Sequence, residues 1–166
     1  MWKDLGRPPL SVAADKIALP AMRCAGLLDA LGVVDRSGDG QVFEVYPAVA
    51  LKTWGLASSG YKASRTAPGG DRASLALLLG SLVERCPWLH LSDEAILLCS
   101  SDDDAFDALV ASLVARAAVL GLTARPTTDE AALATREGWI AVPSPGSLER
   151  LLTPPTALAA VVPSST

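Results

Sequence analysis

The chain has 166 residues, 50% of them hydrophobic and 19% charged, with a formal net charge of −4 at pH 7. That length fits one domain, able to bury about 70% of its unfolded surface without a metal or disulfide staple. The balance excludes an intrinsically disordered chain and a strongly basic nucleic-acid-binding surface, and no apolar run approaches the roughly 20 residues of a membrane helix. No charged stretch followed by an apolar one opens the sequence, so no signal peptide is expected.

Met1–Pro9 is polar, ends in Pro8-Pro9 and reads as an extended lead-in. From Ile17 to Leu31 the apolar residues Met22, Ala25, Leu28 and Leu31 recur at helical spacing. Pro20 belongs near the first turn of that helix and Gly32 closes it. After a turn-rich loop over Asp35–Gly40, Gln41–Tyr46 is β-branched and aromatic and predicts a strand. Pro47 stops it and starts a short helix through Lys52 and Trp54, ended by Gly55. Ala57–Gly70 is loop-like, and Asp71 is placed to cap a helix over Leu75, Leu78, Leu79, Leu82 and Val83 that Pro87 stops. From about Asp103 to Leu120, seven apolar residues from Phe106 to Leu120 form one unbroken helical stripe. A shorter helix over Asp129–Arg136 leads into a second strand, Gly138–Val142, ended by Pro143. The Pro-rich stretch 144–166 is expected to be a partly ordered extension of a domain spanning 1–143. This predicts a mixed α/β domain, helix-rich and short of strands, since one or two strands make a poor sheet.

Two acidic features stand out. Glu44 sits mid-strand, where a solvated edge accounts for it unless it serves a site. Asp104 and Asp107, three apart at the start of a long helix, occupy neighbouring positions about 5–6 Å apart. The helix dipole explains acids in the first turn. It explains Asp107 less well, because Asp107 flanks the apolar stripe, where a neutral side chain is cheaper. Hard cations such as magnesium take one or two carboxylates, with water and substrate phosphate completing the shell. Cys24, Cys86, Cys99 and the single His90 lack zinc-site spacing and read as buried free thiols of a reduced cytoplasm.

The run Val42–Ala48, then Leu51, Trp54-Gly55-Leu56 and Gly60-Tyr61-Lys62, then Asp103–Ala111, and last Glu137–Pro143, resembles one bacterial and archaeal family. It is the domain of unknown function four-two-nine family, predicted nucleases with a ribonuclease H-like fold. The resemblance implies a central mixed sheet flanked by helices, with acids gathered at one end of the sheet. It assigns Glu44, Asp104 and Asp107 as catalytic, metal-holding acids for magnesium or manganese, and nucleic acid as the substrate. Periodicity leaves Asp103 as the alternative to Asp104, since Asp103 and Asp107 both flank the stripe. Lys62 is either a phosphate contact or part of a structural loop. Nothing in Met1–Leu10 resembles the family's first, aspartate-bearing strand; Asp4 and Asp15 have no strand around them. The chain therefore resembles the C-terminal two-thirds of a family member, with the first strands lacking. Two functions follow as expectations: phosphodiester hydrolysis, crippled if the first acid is absent, or a non-catalytic binding module that keeps the fold.

Overall fold

In the computed structural model, residues 18–38, 41–62 and 72–152 are described. Met1–Pro9, Asp4, Asp15, the Asp71 cap and residues 153–166 lie outside them. Among the described residues six helices follow in order: α1 (Ala18–Ala30), α2 (Pro47–Thr53), α3 (Arg72–Arg85), α4 (Asp93–Ser101), α5 (Asp103–Val119) and α6 (Thr128–Glu137). A 3-10 turn, Leu148–Arg150, comes last. Among the described residues no helix is long and apolar enough to cross a membrane.

The mixed sheet flanked by helices is not there. Among the described residues the architecture is helical, with extended segments but no sheet. Gln41–Tyr46 is extended, with one bridge position at Glu44 and no ladder. Residues 142–144 meet 122–124 through a single antiparallel bridge, Thr123 to Pro143, with Ala124 N donating to Val142 O at 2.8 Å and Ser144 N to Leu122 O at 2.8 Å. The reason lies in strand number: β-branched residues favour an extended backbone, but a stable sheet requires about three strands or more.

The chain divides into two compact units, Met1–Glu44 with Pro126–Trp139, and Val45–Arg125 with Ile140–Thr166. The first contains α1 and α6. Gly32, at φ +66°, ends α1 as expected, yet none of the helix's residues is buried, and Met22 and Leu27 stay about 60% exposed. α6 begins at a capping box in which Thr127 N and Oγ1 donate to Glu130 Oε2 at 3.0 and 2.8 Å. These bonds hold the Glu130 carboxyl below its ordinary pKa. The far end of α6 is closed by Arg36, whose backbone N–H donates to Thr135 O at 3.0 Å and whose guanidinium donates to Arg136 O at 3.4 Å.

The second unit holds the apolar core. α3 packs on α4, α4 on α5, and α2 on α5. The stripe of α5 buries Phe106, Val110, Leu113, Val114 and Ala117, and α3 contributes Leu75, Leu78, Leu79 and Leu82. Pro47 opens α2 as its first helical residue. Residues 147–151 are fastened to this core. Trp54 Nε1 donates to the fully buried Ser147 Oγ at 2.9 Å, and Arg116 Nε donates to Leu151 O at 2.6 Å. Arg85 bridges Trp54 O and the Glu149 carboxylate, which it holds below its ordinary pKa. Cys86 and Cys99 are buried thiols whose pKa burial pushes up, whereas Cys24, expected to be buried, is exposed.

Candidate functional site: an acid, a lysine and a tyrosine

The start of α5 explains the position of its acids. Asp102 caps the helix, its side chain accepting from Asp104 N at 2.9 Å and Ala105 N at 3.1 Å. Asp103 and Asp104 fall in the first turn, where the helix dipole favours carboxylates. One turn further, Phe106 is wholly buried and fixes the rotation of the helix. Asp107, next in sequence, is thereby held at the core's margin with its side chain 15% exposed.

Two motifs 45 residues apart meet at that margin. Tyr61 OH donates to Asp107 Oδ1 at 2.9 Å, and the Lys62 ammonium pairs with Asp107 Oδ2. The Tyr61 ring stands edge-on to Phe106, centroids 5.7 Å apart at 70°, so an aromatic contact sets the phenol's aim. Gly60, at φ +88°, supplies the left-handed turn that delivers Tyr61 and Lys62 to the site. Tyr61 is 2% exposed, and its pKa is pushed above the ordinary value, first by burial and then by its bond to Asp107. Asp103 adds to the same negative field, so the four-apart pair Asp103 and Asp107 both act on the phenol. Lys62 remains half exposed.

The expected site residues divide between the units. Lys62 and Asp107 are brought into contact, and Asp104 is exposed one turn before Asp107 on the same helix. Glu44 belongs to the first unit, where it is exposed and its carboxylate lies over Gly138. Sequence reasoning singled out Lys62 but not Tyr61, although Tyr61 stands in the same Gly60-Tyr61-Lys62 motif and supplies the buried half of the Asp107 contact.

Residues 2–132 match the family described as "Protein of unknown function (DUF429)". The chain belongs to that family. No curated protein and no solved structure matches it. The resemblance implies a divalent cation, and the donor chemistry of this DUF429 chain can be tested for one. Among the described residues no group of three or more His, Cys, Asp or Glu is gathered to hold a metal ion. A magnesium-like ion needs only one or two carboxylates when water and phosphate fill the remaining positions, and Asp104 and Asp107 offer those hard oxygens. Lys62 competes for Asp107 Oδ2. The described residues therefore do not fit a protein-enclosed cation.

Proposed function

We propose that this chain acts on the phosphodiester backbone of nucleic acid in the manner of a metal-dependent nuclease, with Asp107 at the centre of the site. Asp104 and Asp107 would hold magnesium or manganese, and Lys62 would contact a substrate phosphate as a point charge. The ion, when bound, supplies Lewis-acid polarisation of the phosphodiester. Tyr61 is a positioning residue: its buried hydroxyl keeps one oxygen of Asp107 fixed and leaves the other turned toward the half-exposed lysine. The observation that carries this reading is the meeting of the Tyr61-Lys62 motif with Asp107, an acid that the family resemblance assigns to metal holding.

A second reading has its own support. Both carboxylate oxygens of Asp107 already have partners, an arrangement that is complete as a lock between loop and helix. A non-catalytic nucleic-acid-binding module would show that arrangement. Magnesium and manganese titrations with single-stranded, duplex and branched DNA and with RNA separate the two. Cleavage that Asp107→Asn abolishes supports the nuclease. Binding without cleavage supports the module, and absence of both refutes each.

A further inference from the structure

The first unit has an open pocket of about 430 Å³ that shares no residue with the Asp107 site, within the range of small-molecule pockets. Leu28, Val33 and Phe43 supply its apolar wall, and Arg36, Glu44 and Glu137 bring charge to it. Gly38, at φ +96°, leaves the space that the Phe43 ring occupies; a Cβ there would stand 2.9 Å from the ring.

The charges do not cancel. Arg36 is the cation of this lining against two acids; its guanidinium donates to Arg136 O in the last turn of α6 and keeps its charge, so the lining carries one net negative charge. The carboxylates of Glu44 and Glu137 make no ion pair or side-chain hydrogen bond among the described residues, and both residues are exposed. Glu137 is also the last residue of α6, where the helix dipole opposes a carboxylate. Two acids against one arginine beside an apolar wall leave a net negative lining that attracts a cation, and the wall selects one with an apolar body. An aromatic face such as Phe43 adds to the attraction.

We infer that this cavity binds a small organic ammonium ion, a protonated amine on an aromatic or aliphatic body, with the ammonium at Glu44 and Glu137 and the body against Leu28, Val33 and Phe43. The inference does not depend on the nuclease reading, because no residue it uses belongs to the second unit.

Cys24 makes the test direct. It lines the cavity and is the exposed cysteine, whereas Cys86 and Cys99 are buried. Phenethylammonium chloride is the probe, with neutral 2-phenylethanol and magnesium chloride as comparisons. Calorimetry should show the amine binding at least about tenfold more tightly than the alcohol, and the amine should slow alkylation of Cys24 by iodoacetamide. Glu44→Gln and Glu137→Gln should each weaken the amine roughly tenfold with an unchanged helical spectrum. If a variant loses its helical spectrum, protection of Cys24 in the unaltered chain by amine but not by alcohol still decides the question. Equal binding of amine and alcohol, displacement of the amine by magnesium, or undiminished alkylation of Cys24 would each overturn the inference.

Discussion

Replacing Asp107 by asparagine separates two roles of one carboxylate. The amide keeps an oxygen to accept from Tyr61 OH and loses the charge that pairs with Lys62. The lysine side chain is 49% exposed, so the lost ion pair costs at most about 1 kcal/mol. Asp107→Ala differs, because the hydroxyl of Tyr61, a residue 2% exposed, then loses its acceptor. Leaving that donor unsatisfied adds about 1–3 kcal/mol. Urea denaturation followed by circular dichroism should therefore rank Asp107→Ala well below Asp107→Asn, with Lys62→Met close to the unaltered protein. In the magnesium-dependent cleavage assay the order changes. Asp107→Asn, though nearly as stable as the parent, should lose about a hundredfold or more, the scale of removing one preorganised electrostatic group from a transition state. Equal destabilisation by asparagine and alanine would refute the assignment of the stability to the Tyr61 bond. Undiminished cleavage by the asparagine variant would refute the catalytic role.

Ser147→Ala leaves the Trp54 indole N–H, on a residue 2% exposed, without its 2.9 Å acceptor; the loss should be about 1–3 kcal/mol, read as a lower urea midpoint. Tyr61 has its pKa raised above 10.0 in the folded protein, so the unfolded chain releases that proton first as pH rises. Stability from this group is full below about pH 10 and falls above it, and Tyr61→Phe should flatten the alkaline limb of a stability-against-pH curve. Gly138→Ala should destabilise the first unit by about 1–3 kcal/mol from its backbone alone, since φ +96° with ψ 164° is a region essentially restricted to glycine. Its new Cβ would also stand 2.6 Å from Glu44 Oε2, so adding Glu44→Ala should recover the contact and not the backbone strain, as measured by amide exchange in α6.

The helices were legible where periodicity and punctuation agreed. The stripe from Phe106, Pro47 as a helix opener and Gly32 as a stop all correspond to α5, α2 and the end of α1. α4 was missed, although Ser92 followed by Asp93 and Glu94 is an N-terminal signal, and Ser92 Oγ does accept from Ala95 N. Pro87 is the stronger local signal, a break that outweighs the start of the nine-residue helix beyond it. The sheet failed for a non-local reason: Val42 to Tyr46 has the composition of a strand, but composition does not supply a partner strand. At the site, Lys62 and Asp107 were visible as separate motifs. Their contact was not, because it depends on Phe106 setting the rotation of α5 and on Gly60 turning the chain, and neither acts through local pattern. The exposure of Met22 and Leu27 on α1 was hidden for the same reason, since an apolar spacing records a face and not what covers it.

Manganese titrated into isotopically labelled protein tests the central claim most directly, because the ion's unpaired electrons broaden nearby amide signals. The account predicts broadening centred on the first turns of α5 and on Tyr61 and Lys62, abolished by Asp107→Asn without loss of the remaining spectrum. Broadening elsewhere, or none at these residues at millimolar manganese, contradicts it.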